Sequence, residues 1–268
     1  MKSIDSNSLS TRTIIAEINL EFDHQKVFEQ LPVNYQLEDY DCQIVAMYHK
    51  DIIKGDSSYF SKKKKLSSFR NAVNIIIKSE CCCCNIKVSD KGKFQISGAK
   101  NLERTYQSIM YLISLILKLK CHIYQKEKDD IKISFTTVMT NFVYNVGFKI
   151  DKDKLNRLMK KDPSHQFYNL FETSFGYTGL NLKLKMNPSL YDLKIPVFRL
   201  VNDKWIREEK KYMNMGKNQK FNSFLVFHSG KIICSGMTEQ TMNDSFQTFS
   251  KYINQNKNKI VECIEKNV

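Results

Sequence analysis

The chain has 268 residues, enough for one large domain or two small ones, and 42% of them are hydrophobic, which can bury a core in either arrangement. Its 42 Lys and Arg residues outnumber 28 Asp and Glu residues, and the net charge of +14 favours a polyanion or an anionic membrane surface as a partner. The most apolar stretch, Ile109 to Leu117, is shorter than the ~20 residues that span a bilayer, and the N-terminus lacks a basic segment followed by an apolar one. We therefore expect a soluble intracellular protein with no membrane partner.

The first half of the chain predicts a strand, a helix, several strands and a second helix. Residues 14–22 predict a strand that ends at Asp23, which is well placed to cap the short helix that follows. Residues 51–66, which include a run of four lysines, predict an insertion loop. A hairpin with its turn at Gly92-Lys93 then leads into a helix over 101–120, where apolar residues recur at helical spacing.

Four of the eight cysteines are consecutive, from Cys81 to Cys84. Cys81 and Cys84 have the spacing of a zinc-ligand pair, but no second cysteine or histidine pair completes a site. The spacing is also unlike the disulfide framework of a small secreted protein. We therefore expect reduced thiols in a strand or loop, with no bound metal and no other cofactor.

The second half repeats the pattern of the first. A charge run at 126–130 predicts a boundary, and residues 138–150 predict a strand that ends at Asp151, again before a short helix. Residues 204–220, mixed in charge, predict a second and longer insertion loop. A hairpin with its turn at Gly230-Lys231 then leads into a helix from Thr238 to about Ile253.

The strand that ends at an Asp and the Gly-Lys hairpin that leads into a long helix both occur twice, in the same order, which indicates a duplicated unit. Gly92 and Gly98 recur as Gly230 and Gly236, both 138 residues later. A period of this length, with a strand-ending Asp at the start of each copy, predicts two diverged copies of one α+β unit. We expect the first repeat at 1–125, with its insertion at about 51–66, and the second at 131–268, with its insertion at about 204–220.

The segments 92–100 and 227–236 resemble the repeated signature of TATA-box-binding proteins. That family writes Phe-x-Ser-Gly-Lys, two apolar residues, a third apolar or Cys position and then Thr-Gly-Ala-Lys, once in each half. The resemblance spans about residues 11–120 and 132–255, and the lengthened form, rich in Lys, Asn and Ile, is most similar to the diverged factors of large cytoplasmic DNA viruses. It implies a pseudo-twofold saddle, a curved antiparallel sheet with helices on the convex face and the concave face on the minor groove of DNA.

The resemblance also implies which residues contact DNA. In the family these positions are aromatic wedges between base steps, minor-groove hydroxyls, lysines at backbone phosphates and amides that read the central base pairs. On this chain they fall at Phe69, Phe227 and either Tyr177 or Phe175 for the wedges, Ser97 and Ser235 for the hydroxyls, Lys93 and Lys231 for the lysines, and Asn141 for an amide.

Three departures weaken the match on the DNA-facing side. The first half has Val88-Ser89 and an extra residue where the family has a wedge Phe. The central Asn positions align with Thr13 and Met139, so Asn141 substitutes only if the strand register slips by one alternation. Gln95 places an amide where the family surface is apolar. These departures concern TATA specificity and bending more than DNA binding itself, since phosphate contacts supply much of the affinity.

The resemblance implies a general transcription initiation factor that binds double-stranded promoter DNA and recruits other initiation factors and RNA polymerase, without a small-molecule ligand. It would act in the cytoplasm of the infected host if it is viral, and otherwise in the nucleus. The alternative is a protein-interaction scaffold of the transcription machinery with the same fold and weak or no sequence-specific DNA binding. An enzyme is disfavoured because the five histidines lack a neighbouring nucleophile or ligand spacing and no glycine-rich phosphate loop is present.

Overall fold

The structure, a computed structural model, describes residues 9–60, 72–80, 82–125, 130–162, 167–170, 179–186, 193–212 and 220–262. These residues fold as α+β in two compact units. The N-terminal unit comprises Thr11–Val138 and Lys194–Lys211, and the C-terminal unit comprises the described parts of Met1–Ser10, Met139–Leu193 and Tyr212–Val268. None of the helices in the described ranges is long and apolar enough to cross a membrane.

The elements alternate strands with a few helices along the chain. The strands are β1 (Leu9–Ile18), β2 (Leu20–Phe22), β3 (Gln43–His49), β4 (Ile52–Gly55), β5 (Ala72–Lys78), β6 (Cys83–Ser89), β7 (Lys93–Ser97), β8 (His122–Gln125), β9 (Ile131–Asn145), β10 (Phe167–Leu170), β11 (Leu180–Lys185), β12 (Lys194–Val201), β13 (Lys204–Lys211), β14 (Phe221–Val226) and β15 (Lys231–Gly236). The helices are α1 (His24–Gln30), α2 (Leu102–Lys118), α3 (Lys152–Lys160), α4 (Glu239–Gln255) and α5 (Lys257–Ile260).

The N-terminal unit is built on an antiparallel sheet in the order β1-β7-β6-β5-β3-β4. Helix α2 covers one face of this sheet, because alternate strand residues such as Phe94 and Ile96 are fully buried in one cluster with Ile109 and Leu112 of the helix. A small second sheet pairs β2 with β8. The first half of β9 pairs with β12, which pairs in turn with β13.

The C-terminal unit is built on an antiparallel sheet in the order β9-β15-β14-β11-β10, to which the second half of β9 contributes. Helix α4 packs against it through Phe249, whose ring stacks on that of Phe224 at a centroid distance of 4.3 Å. Asn222 is fully buried, and its amide donates to the Thr241 carbonyl oxygen at 2.9 Å and the Ser245 hydroxyl at 2.8 Å. These contacts join β14 to α4 through both apolar and polar groups.

The two sheets share a strand order apart from β4. In each sheet the first strand lies beside the strand that follows the Gly-Lys turn, and the strands between them in the chain come next in reverse order; β4 adds an extra edge strand beyond β3 in the N-terminal sheet. In the N-terminal unit Thr13 pairs with Ser97, Glu17 with Lys93, Val88 with Phe94 and Val73 with Val88. The equivalent pairs of the C-terminal unit, in the same order, are Asn141 with Ser235, Asn145 with Lys231, Val226 with Ile232 and Leu180 with Val226. The sequence match at the glycines therefore extends to the pairing of the first four strands of each sheet.

The Gly-Lys hairpins occupy equivalent positions in the two units. The Ile18 N–H donates to the Gly92 carbonyl oxygen at 2.9 Å, and the Val146 N–H donates to the Gly230 carbonyl oxygen at 3.1 Å. Both glycines have positive φ, 74° and 81°. A Cβ at Gly92 would lie 2.4 Å from the Ile18 carbonyl oxygen, and one at Gly230 would lie 2.2 Å from that of Phe148. Only glycine fits this approach, which explains why both residues occur in the repeated signature.

Helix starts follow the predicted capping residues. Asp23 accepts from the N–H groups of Gln25 and Lys26 at the start of α1, and Asp151 accepts from that of Lys154 at the start of α3. The long helices α2 and α4 begin one residue after Asn101 and Thr238, whose side chains accept from backbone N–H groups of the first turn. A capping side chain satisfies a backbone donor that the helix cannot, and this fixes where each helix begins.

Both predicted insertion loops contain strands. Within 51–66, Ile52–Gly55 forms β4 against β3 and is followed by a 3₁₀ turn at Ser57–Tyr59, while 61–66 lie outside the described residues. Within 204–220, Lys204–Lys211 forms β13, while 213–219 lie outside the described residues. Two charged residues of β13 form ion pairs on the surface, Arg207 with Glu103 at 2.7 Å and Glu208 with Arg199 of β12 at 2.6 Å.

The division between the compact units lies inside β9, between Val138 and Met139, and the repeat boundary at 125–131 stays a prediction. The first half of β9 belongs to the N-terminal unit because Ile133 and Phe135 are buried in its core. Phe135 lies 4.7 Å from the Tyr106 ring of α2, measured between centroids. A single 15-residue strand thus contributes to both cores, which the charge pattern did not indicate.

Candidate nucleic-acid interface

Each sheet has one face covered by a helix and one face that carries polar groups. On β7, Phe94 and Ile96 are buried while Lys93, Gln95 and Ser97 are exposed, as the alternation predicts. On β15, Ile232 and Cys234 are buried, Lys231 is exposed, and Ile233 and Ser235 are half-buried. The polar sides of the two sheets are called the N-terminal face and the C-terminal face below.

One polar row crosses the C-terminal face from strand to strand. Successive cross-strand partners are Asn141, Ser235, Ser223, Lys183 and Tyr168, on β9, β15, β14, β11 and β10 respectively. With neighbouring strands ~4.8 Å apart, the four intervals extend over roughly 19 Å. The row offers amide, hydroxyl and ammonium groups, the chemistry that contacts base edges and phosphates.

The C-terminal face is positively charged. Its described strands, which are β10, β11, β14, β15 and the part of β9 from Met139 onward, contain Lys183, Lys185 and Lys231 and no Asp or Glu. Lys231 lies opposite Asn145, a neutral residue, so its cross-strand neighbour does not compensate its charge. This face therefore presents uncompensated positive charge of the kind that releases counterions on binding a nucleic acid.

The N-terminal face differs at the equivalent position. Glu17 takes the place of Asn145, and its carboxylate lies 2.9 Å from the Lys93 ammonium group. Both side chains are more than half exposed, so the pair adds little stability, but the carboxylate offsets the lysine charge. Ser97 is exposed and its hydroxyl donates to the Asn85 carbonyl oxygen at 3.4 Å. The two predicted lysines are thus placed alike by the backbone but differ in electrostatic surroundings.

The register of β9 places Asn141 at the candidate base-reading position. Asn141 lies opposite Ser235 as Thr13 lies opposite Ser97, so Asn141 and not Met139 corresponds to Thr13. Met139 lies on the same side of the strand, one alternation further along, and its side chain is 41% exposed. The C-terminal unit therefore has an amide where the N-terminal unit has a hydroxyl. The role of Asn141 toward DNA stays a prediction.

Phe227 lies directly after β14, at the tip of the hairpin. Its N–H donates to the Lys231 carbonyl oxygen at 2.9 Å, which closes the turn. The side chain is half-buried and does not belong to the hydrophobic cluster that contains its neighbour Val226. This placement is compatible with a wedge. In the N-terminal unit Val88 is buried like Val226, and the same register places Ser89 at the position of Phe227. Ser89 therefore stands in place of Phe227, and the extra residue expected from the sequence is not present between Val88 and Phe94.

The other predicted wedges, Phe69 and the alternative pair Tyr177 and Phe175, lie outside the described residues. Lys93, Lys231, Ser97 and Ser235 all project from the polar faces. The structure thus brings Asn141, Lys231 and Ser235 together on one face and Lys93 and Ser97 together on the other. Their contacts with DNA remain predictions.

Several residues of the C-terminal face were not predicted. They are Lys183 and Lys185 of β11, Tyr168 of β10 and Phe221 of β14. The alternation Leu180-Asn181-Leu182-Lys183-Leu184-Lys185 is typical of a strand with one buried and one polar face, and it could have identified the two lysines. No comparable pattern marks Tyr168, because the strand that carries it has only four residues.

Of the six cysteines in the described ranges, five are buried and Cys83 is exposed. Cys82 and Cys84 have their sulfur atoms 3.3 Å apart, and this hydrogen bond lowers the pKa of Cys82 to about 7. Burial raises the pKa of Cys42 to about 12. Among the described residues no three potential ligands group as a metal site would require, while Cys81 lies outside them.

The chain is similar to a viral protein and to a solved structure. No protein-family model matches the chain. The chain is 25% identical, over 294 aligned positions, to the uncharacterized protein 335L of Invertebrate iridescent virus 6, covering 92% of this chain and 83% of that protein. Among solved structures it is similar to the TBP of Methanococcus jannaschii, with a TM-score of 0.47 and 11% identity, over 95% of this chain and 99% of that one.

Proposed function

We propose that the protein is a TATA-box-binding-protein-like transcription initiation factor that binds duplex DNA in the minor groove through the polar faces of its two sheets. The C-terminal face carries the proposal most directly, because its strands hold three lysines and no carboxylate beside a row of amide and hydroxyl groups. Uncompensated lysines supply affinity for phosphates, and flat rows of small polar groups can lie against base edges. The sequence signature of the hairpins supports the same assignment.

The proposal includes an internal duplication. Shared strand order, shared register and equivalent hairpin hydrogen bonds support two copies of one ancestral unit. The resemblance implies that the copies are related by an approximate twofold rotation as a saddle, and the proposal adopts that arrangement. The same proposal holds that the protein recruits other initiation factors and RNA polymerase and does not act as an enzyme. It also holds that the protein acts in the cytoplasm of an infected host or in the nucleus.

A second function, a protein-interaction scaffold, is favoured by one observation. On the N-terminal face Glu17 compensates Lys93, and Ser89 stands where the other hairpin has Phe227. A face that has lost a wedge and gained a carboxylate is less suited to a polyanion. Under this alternative the protein would bind DNA no better than its net charge alone provides.

A titration of labelled duplex DNA with the full chain tests the proposal. Fluorescence anisotropy on an AT-rich and a GC-rich duplex, each at about 50 and about 200 mM salt, measures sequence preference and salt dependence together. The proposal predicts tighter binding to the AT-rich duplex at both salt concentrations. Equal binding to both duplexes, lost entirely at the higher salt, would support the scaffold with only non-specific attraction.

A further inference from the structure

An exposed pair of aromatic rings lies at the outer end of the C-terminal face. Tyr168 on β10 is 46% exposed and Phe221 on β14 is 39% exposed, and their ring centroids are 5.5 Å apart in an edge-to-face arrangement. Both project from the side of the sheet opposite α4, because Phe167 and Asn222, the next residues in the alternation, are buried. Large apolar groups retained on a polar face indicate a binding role.

Positive charge surrounds this pair. The Lys185 ammonium group lies 5.5 Å from the Tyr168 ring centroid, and Lys185 is the cross-strand partner of Phe221. Lys183 is the cross-strand partner of Tyr168 itself. Two rings with two adjacent lysines combine a stacking surface for a base with cations for the phosphates on either side of it.

We propose that Tyr168, Phe221, Lys183 and Lys185 form a site for an unpaired nucleotide at the end of the DNA duplex, a site that rests on the proposed DNA binding of the same face. In the interior of a duplex both faces of each base are covered by neighbouring bases, so these rings cannot stack there without intercalating. An unpaired base presents a free face. The rings contact each other edge to face, so the base stacks on the outer side of the pair and not between its members.

The position of Tyr168 in the polar row favours a single-stranded extension of the DNA, and not further duplex, as the ligand of this site. Tyr168 is the last residue of the polar row and lies on the edge strand β10, roughly 19 Å from Asn141. The groups change along the row from amide and hydroxyl, suited to base edges of a duplex, to ammonium and aromatic groups, suited to a flexible strand. The C-terminal face thus contains a duplex-reading part and a strand-stacking part.

The test compares three DNA ligands by fluorescence anisotropy with the full chain. They are a blunt AT-rich duplex, the same duplex with a tail of about four nucleotides, and the same duplex with an abasic tail of equal length. The abasic tail keeps the phosphates and removes the bases. Each tail is attached in turn to either strand end. We expect the nucleotide tail to bind about tenfold tighter than the abasic tail on at least one end, the lower part of the range for stacking one base.

Variants identify the residues. Phe221→Leu keeps apolar volume but removes the aromatic face, and Tyr168→Ala removes the second ring, so each should reduce the preference for the nucleotide tail to about twofold or less. Tyr35→Ala is the matched control, since Tyr35 is 41% exposed and has the Lys118 ammonium group 5.8 Å from its ring, but belongs to the N-terminal unit. Circular dichroism melting confirms that each variant is folded.

The outcomes separate the two proposals. If the parent binds the blunt duplex but does not distinguish nucleotide from abasic tails, the stacking site is refuted while the duplex function stands. A preference that persists in both Phe221→Leu and Tyr168→Ala would place stacking elsewhere and also refute the site, leaving the rings free for an apolar protein partner. If the parent binds neither duplex nor tail, the proposed function itself fails.

Discussion

Replacement of Phe227 by Ala separates a DNA-inserting ring from a core ring. The side chain is half-buried and lies outside the hydrophobic cluster of the C-terminal unit, so truncation should cost within about 1 kcal/mol of unfolding free energy. In a chain of this size that corresponds to a shift in Tm of about 2–4 °C. The matched control is Phe224→Ala, because Phe224 is fully buried and stacks on Phe249. It should lose about 3–5 kcal/mol, a fall in Tm of roughly 6–20 °C.

The effect on DNA should be the reverse. Unstacking a base step costs a few kcal/mol, and an inserted ring replaces part of the lost stacking. Phe227→Ala should therefore reduce the bend of bound DNA, measured by fluorescence transfer between dyes at the two ends of a duplex. A fall in Tm as large as that of Phe224→Ala would show that the ring is buried and the DNA-facing side misassigned. Unchanged melting with unchanged bending would refute the wedge and favour the scaffold.

Three further predictions concern charge, pH and the buried amide. Lys231→Ala should reduce the slope of log K for DNA association against log salt concentration by about 0.9. Lys93→Ala should reduce this slope less, because Glu17 already compensates Lys93, and Glu17→Gln should strengthen DNA binding. Equal slopes for the two lysine variants would contradict the difference between the faces. Burial, the largest cause, lowers the pKa of His24 in the folded protein, so below about pH 6.5 the unfolded chain takes up a proton that the folded chain does not, and the Tm should fall. His24→Gln should abolish this part of the pH dependence. A Tm of the parent protein that stays constant from about pH 7 to 5 would contradict the prediction. Asn222→Ala should lower the free energy of unfolding in urea by about 1–3 kcal/mol, since it leaves the Thr241 carbonyl oxygen and the Ser245 hydroxyl without the amide donor. A loss below about 0.5 kcal/mol would show that these hydrogen bonds do not hold β14 to α4.

Features set by local backbone chemistry could be predicted from the sequence. The Gly-Lys turns favour glycine because Gly92 and Gly230 have positive φ, 74° and 81°, and Asp23 and Asp151 begin helices because their carboxylates accept from backbone N–H groups. Strand alternation likewise gave the buried and polar sides of β7 and β15. Each of these signals depends only on residues close together in the chain.

Features set by pairing between distant segments could not be predicted. Met139 and Asn141 lie on the same side of β9, and only the partner Ser235 on another strand decides which of them corresponds to Thr13. Likewise the mixed charges of 204–220 predict a loop, and only the pairing of Lys204–Lys211 with β12 makes this part of it a strand. The compensation of Lys93 by Glu17 has the same origin.

Minor-groove recognition by the polar faces is tested most directly with three duplexes of one length that contain A·T, G·C or inosine·C pairs at the binding site. Inosine·C presents the major-groove groups of G·C but lacks the guanine amino group in the minor groove, where it resembles A·T. Anisotropy titration with the full chain should give equal affinity for the A·T and inosine·C duplexes and at least about tenfold weaker binding to G·C, with each unfavourable pair costing about 1–3 kcal/mol. Inosine·C binding as weak as G·C would show that the protein reads the major groove or the backbone alone, and would contradict the proposed function.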